Sequence, residues 1–263
     1  MTRGRIGSTG STWRGARLAL AVLVIATAGC APLPAFLRVA PGASASTGPI
    51  PVVIVHGWQF FCGSETRAQW TTWFDAARAR GYDADLIGVF SYDTCHPTAE
   101  AIEGLGEYVK GVLARTGATQ VDMIGHSMGS IVGRACIRFG SCAGKVRHFA
   151  SIAGINHGTV WANVCAMAFW SASTCDLKAD EPFLTALNAG DETWGDTEYV
   201  TMISWCDLTI VPFTSAHLDG ALNMVDQRCL SHTDWRNDPV AANWVLDWFA
   251  GRRPDPATIG PES

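Results

Sequence analysis

Val121-Asp122-Met123-Ile124-Gly125-His126-Ser127-Met128-Gly129-Ser130 reads as a short apolar strand running into Gly-X-Ser-X-Gly. This pattern puts a serine at the tip of a sharp strand-to-helix turn. Gly125 and Gly129 suit backbones that approach too closely for side chains. The serine then stands exposed at a helix N-terminus, where partial positive charge favours a developing anion. The chemistry such a residue offers is nucleophilic attack on a carbonyl carbon. With 27 glycines in 263 residues the bare pattern can arise by chance, so its setting decides its worth. Residues 121–124 form a buried-strand run after the turn-like Thr116-Gly117-Ala118-Thr119. Ile131, Val132, Ala135 and Phe139 follow at helical spacing, and Gly140 is a helix stop.

A serine is a weak nucleophile at neutral pH and needs a histidine base oriented by a carboxylate. Where the serine occupies such a turn, the chain order is serine, acid, histidine. Asp207 follows the strand-like run 199–205, and His232 follows the last strand-like run, 221–225, and a short loop. Ser127, Asp207 and His232 are therefore the expected catalytic residues, with Asp226 as the rival acid. The other histidines fit less well. His217 precedes the last strand, His148 falls within a strand, His157 comes too early and His96 precedes the serine. His126 adjoins Ser127 and cannot readily reach round to its hydroxyl. His56 belongs to a His-Gly loop that it is better placed to fix. The negative oxygen formed in acyl transfer needs backbone N–H donors. One is expected from Met128, after the nucleophile, and the other from Trp58, after His56-Gly57 at the end of the first strand.

The elements that must position these residues follow in alternation. Residues 50–55 read as a buried parallel strand, 66–80 as a helix with Trp70, Trp73, Phe74 and Ala77 on one face, and 85–92 as a strand. Residues 99–115 read as a helix weakened by three interior glycines. After the serine turn, strands are expected at 146–152, 198–205 and 221–225, and a terminal helix at 238–249. Such alternation predicts a mostly parallel sheet with helices on both faces and ligands at the carboxyl ends of the strands. Residues 156–197 form a long insertion carrying Trp161, Met167, Phe169 and Trp170, expected to line or cover an acyl-binding cleft.

A hydrophobic content of 48% and eleven tryptophans suffice for a large core. Arg3, Arg5, Arg14 and Arg17, the apolar run 18–25 and the small residues 26–29 read as a signal peptide over 1–29, too short for an ordinary membrane span. Residues 30–49 read as a flexible linker, 50–253 as the folded domain and 254–263 as a tail. Residues 1–29 hold four arginines and no acids, so 15 basic against 24 acidic side chains remain, a formal charge of −9. An acidic chain with three lysines is a poor nucleic-acid binder.

Export implies an oxidising compartment for the nine cysteines. Thr27-Ala28-Gly29-Cys30 resembles a bacterial lipobox, although Thr27 replaces the usual leucine; ordinary cleavage after Ala28 is the alternative. The chain is thus expected to be secreted, or anchored to the outer face of the cell membrane through Cys30. The remaining eight cysteines allow many pairings, and local ones are expected: Cys62–Cys95, Cys136–Cys142, Cys165–Cys175 and Cys206–Cys229. The last would tie the acid loop to the base loop. No cysteine or histidine spacing suggests a zinc site.

Several segments together resemble the small extracellular bacterial triacylglycerol lipases of the α/β-hydrolase class. They are residues 53–57, the Gly-His-Ser-Met-Gly turn, Asn156-His157-Gly158-Thr159, the run 183–193, residues 207–212 and Leu230-Ser231-His232. The run from Phe183 to Thr193 is the most specific; residues 160–180, rich in Trp and Cys, depart from the pattern. The resemblance implies a minimal α/β-hydrolase fold with about six mostly parallel strands. It implies carboxylic-ester hydrolysis through an acyl-enzyme with no organic cofactor, and no residue is assigned as a metal ligand. It supports Ser127, Asp207 and His232 as triad, and Trp58 and Met128 as oxyanion donors. The expected partner is an ester or lipid substrate, with lipid-interface contact among the expectations, and the chain is expected to be a monomer. An acyltransferase using the same triad and a non-catalytic surface protein on a hydrolase scaffold are the alternatives.

Overall fold

Val-Val-Ile-Val is buried on both sides, which makes β1 (Val52–Val55) an interior strand. The computed structural model describes residues 49–59, 62–164 and 172–252, all within one unit, Ser44–Ser263. The expected leader, most of the linker, Cys30, Arg253 with the expected tail 254–263, and Cys165, Met167, Phe169 and Trp170 lie outside the described residues. β1 pairs with β2 (Ile87–Phe90) on one side and β3 (Val121–His126) on the other. β4 (Val146–Ile152), β5 (Glu198–Ser204) and β6 (Leu222–Asp226) extend the sheet. The order is β2-β1-β3-β4-β5-β6, and every pair is parallel.

Among the described residues six α-helices accompany the sheet: α1 (Thr71–Arg78), α2 (Thr98–Thr116), α3 (Met128–Arg138), α4 (Ala172–Cys175), α5 (Pro182–Leu187) and α6 (Pro239–Phe249). The chain leaves β1 in one direction, to β2, and leaves β3 in the other, to β4. Because parallel crossovers are right-handed, α1 covers one face and α2 and α3 the other. Accordingly α1 packs on α6, and α2 on α3. The crevice between the carboxyl ends of β1 and β3 is the switch point, where such sheets bind ligands.

Some boundaries differ from the sequence reading. The helix expected over 66–80 opens with a tighter 3-10 turn, Arg67–Trp70. Thr66 and Gln69 cap that turn reciprocally and satisfy its free N–H groups. The strand expected at 85–92 is shortened because residues 84–86 form another 3-10 turn. Two of the three interior glycines of α2 face close neighbours: a Cβ on Gly106 would meet Ser141 Oγ at 2.1 Å and one on Gly104 would meet the Phe90 ring at 3.2 Å, whereas Gly111 has nothing within 4 Å.

The run 183–193 fastens the long insertion between β4 and β5 to the core. Arg138, from α3, donates to the Leu187 and Ala189 carbonyls at 2.8 Å each, satisfying the end of α5. Asn188 donates to the Asn156 carbonyl at 2.9 Å. Glu192 accepts from His157 Nε2 and from the Asp219 N–H, both at 2.7 Å. Burial pushes the Glu192 carboxyl up, but the His157 and Asp219 hydrogen bonds and the Arg134 charge outweigh it and leave the group below its ordinary value. A depressed carboxylate stabilises the fold above its unfolded-state pKa, about 4.3, and the contribution is lost as pH falls through the folded value. Glu192→Gln should therefore lower the urea midpoint at pH 7, and its gap from wild type should close as the pH is taken below about 4.

Candidate active site

β3 ends in a turn whose geometry is set by crowding. Ser127 has φ 54° and ψ −125°, a conformation that costs a non-glycine residue about 1–3 kcal/mol unless its surroundings impose it. They do impose it. A Cβ on Gly129 would lie 2.1 Å from the Val55 carbonyl oxygen, and one on Gly125 would lie 2.7 Å from Ser130 Cα. The first turn of α3 thus lies directly on the end of β1. The Ser127 N–H donates to the Ile152 carbonyl at 3.1 Å, and the Ser130 N–H to the Ser127 carbonyl at 3.0 Å. Met128 is the first residue of α3, where backbone N–H groups lack an intrahelical acceptor.

The loop after β1 is held against this turn. A Cβ on Gly57 would come 2.6 Å from Ser127 Cβ, so the next residue, Trp58, is brought beside the serine. His56 Nδ1 donates to the Gly57 carbonyl at 2.8 Å, and its Nε2 accepts from the Tyr92 N–H at 3.2 Å. One donor and one acceptor nitrogen require a neutral ring, and burial lowers the His56 pKa in keeping with that.

Asp207 stands after β5 and is 2% exposed. Its Oδ1 accepts from the backbone N–H groups of Thr209 and Ile210 at 2.9 and 3.1 Å. Its Oδ2 accepts from His232 Nδ1 at 2.8 Å. The rival acid, Asp226, is instead bound by Arg228, which also pairs with Asp238. The Cys206–Cys229 disulfide, with Cα atoms 4.9 Å apart, joins the loop of Asp207 to that of His232. Cys62–Cys95 and Cys136–Cys142 are also bonded. The fourth expected pair, Cys165–Cys175, includes a residue outside the described ones.

Ser127, His232 and Trp58 line one cavity of about 440 Å³. Trp161 and Leu177 from the insertion and Leu208 from the acid loop supply much of its apolar wall. Trp161 and Leu208 are 53% and 77% exposed, so apolar surface continues from the cavity to its rim. The insertion is sewn to the acid loop there. Trp161 Nε1 donates to the Leu208 carbonyl and Thr159 Oγ1 to the Thr209 carbonyl, both at 2.8 Å.

Residues 49–233 match the sequence model of the lipase (class 2) family. The chain belongs to that family. A comparison with curated proteins finds no match. Solved structures similar to this chain include Aspergillus fumigatus lipase B, with a TM-score of 0.63 and 18% identity over 81% of this chain. The present chain spans 55% of that fungal lipase. Bacillus licheniformis lipase BlEst2 in its mature form gives a TM-score of 0.61 at 14% identity, covering 81% of this chain and 95% of its own. Phospholipase PlaB from Legionella pneumophila gives 0.58 at 13% identity, over 80% and 61%. At such identities the likeness is one of fold, the α/β-hydrolase fold.

Two parts of the site have no signature in the sequence. His126 reads there only as the residue before the serine; its Nε2 meets the His232 carbonyl at 3.0 Å. Burial, then the neighbouring His232, hold the His126 pKa well below its ordinary value. Glu65, 2% exposed, accepts from Gln59 Nε2 at 2.7 Å and Trp70 Nε1 at 2.8 Å, and pairs with Arg236. It connects the loop after β1 with the turn after His232. Only the Gly-X-Ser-X-Gly spacing, which places His126, hinted at either.

The Cys206–Cys229 bridge closes a sequence separation of 23 residues, worth roughly 3 kcal/mol through the unfolded chain. Cys206→Ser/Cys229→Ser should lose about that much in urea unfolding. It should lower kcat for ester hydrolysis more than it raises KM, as the two loops loosen.

Proposed function

We infer that this class 2 lipase is an exported serine carboxylic-ester hydrolase acting on lipid-like esters. The observation that carries the reading is the His232–Asp207 hydrogen bond beside a largely apolar cavity that His232 shares with Ser127. The carboxylate accepts a hydrogen bond from Nδ1–H, which keeps that proton on Nδ1 and leaves Nε2 as the nitrogen able to take a proton. Nε2 takes the Ser127 hydroxyl proton as Oγ attacks the ester carbonyl carbon. The resulting oxyanion is met by the N–H groups of Met128 and Trp58. Collapse breaks the carbon–oxygen bond to the alcohol, which leaves with the proton from His232. Water, deprotonated in turn by His232, releases the acid from Ser127. Asp207 keeps its place because its other oxygen is held by two backbone N–H groups.

The apolar wall and rim favour an acyl chain of some length, and the exposed Trp161 and Leu208 favour substrate presented at a lipid surface. Disulfides support an oxidising compartment, in keeping with the leader. Ser127→Ala should lower kcat on p-nitrophenyl esters by about ten-thousandfold or more. Trp161→Ala should lower kcat/KM about tenfold more for the dodecanoyl ester than for the butanoyl ester, the worth of roughly 1.4 kcal/mol of lost apolar contact. Equal loss on both esters would remove Trp161 from the acyl site.

A further inference from the structure

His232 carries the proposed base at the tip of a loop, far in sequence from the serine it must meet. Its ring is held at one end, where Nδ1 meets Asp207 at 2.8 Å. Its main chain is held at the other end, where the carbonyl meets His126 Nε2 at 3.0 Å. A carbonyl only accepts, so His126 must carry its proton on Nε2. His126 Nδ1 is then a bare lone pair, and it has no partner among the described residues. The ring is fully packed. The edge of Trp70 meets it with centroids 5.8 Å apart, and the His232 ring lies tilted on it at 5.0 Å. His126 is also the residue immediately before Ser127 in the chain.

We propose that His126 is a positioning residue that sets the distance between the nucleophile and the base, by holding the His232 main chain to the serine turn through one hydrogen bond. The proposal rests on the reading of Ser127 and His232 as nucleophile and base. With both ends of His232 fixed, its Nε2 has little freedom left relative to Ser127. A misplacement of about 1 Å in such a pair costs on the order of a hundredfold in rate. The tie is local. Arg236, four residues on, remains bound to Glu65, and the Cys206–Cys229 bridge remains closed, so the loop keeps its course without His126.

Reach separates this role from simple packing. A glutamine amide nitrogen can occupy the place of a histidine Nε2 and donate to the same carbonyl, whereas an asparagine amide falls short and a leucine cannot donate. His126→Asn and His126→Leu should therefore lower kcat on p-nitrophenyl butanoate by about 10- to 50-fold, with KM within about twofold of wild type. His126→Gln should retain at least about a third of wild-type kcat, the amide standing in for the ring nitrogen. Thermal midpoints measured alongside should not follow the order of the rates. Unchanged kcat in the Asn or Leu variant overturns the proposal; either variant suffices if the other does not fold. A Gln variant as impaired as Asn in kcat, or one that does not fold, also overturns it. A wild-type protein without esterase activity would instead refute the underlying assignment of Ser127 and His232.

Discussion

The proposed catalytic site depends on how closely the start of α3 lies on the end of β1. No side chain fits between them at Gly129, where a Cβ would press on the Val55 carbonyl at 2.1 Å. That contact forces the tight reversal after β3 and holds Ser127 at a positive φ it would not otherwise adopt. It also brings the loop of Gly57 and Trp58 onto the serine, beside the first turn of α3. The proposed nucleophile and both proposed oxyanion donors therefore lie on two backbone segments packed directly against each other. The switch in sheet direction between β1 and β3 supplies the crevice in which these segments lie.

The proposed base and acid come from loops that the sheet places but does not by itself hold. Their fixation is side-chain work: two backbone N–H groups on Asp207, a disulfide across Cys206 and Cys229, and the His126 bond to the His232 carbonyl. Glu65 extends the network to the far side through Arg236. The insertion between β4 and β5 belongs to the same structure, since Thr159 and Trp161 bond to the acid loop while lining the cavity. The wall of the cavity and the placement of Asp207 are thus mechanically joined.

Local patterns made much of this legible. The apolar run of β1, the alternation of elements, the glycine spacing around Ser127 and the order of Asp207 and His232 are all encoded within short windows. Parity and proximity of cysteines gave the Cys62–Cys95, Cys136–Cys142 and Cys206–Cys229 pairs. What stayed hidden depends on contacts between distant segments. Nothing near Glu65 announces Arg236, 171 residues away. Nothing near His126 announces a carbonyl 106 residues on. Asp226 stood as a rival acid because its neutralisation by Arg228 is a matter of side-chain direction, which spacing does not specify. The start of α1 as a 3-10 turn likewise reflects the reciprocal capping by Thr66 and Gln69 over the apolar period of the segment.

The central claim is that Ser127 is a nucleophile activated from its own fold. Covalent labelling tests it most directly. Incubation of the folded protein with a fluorophosphonate, followed by intact mass and peptide mapping, should find one adduct per chain, on Ser127, and much slower labelling in Asp207→Asn. No adduct on the folded wild-type protein, or an adduct on another residue with Ser127 unmodified, would contradict it.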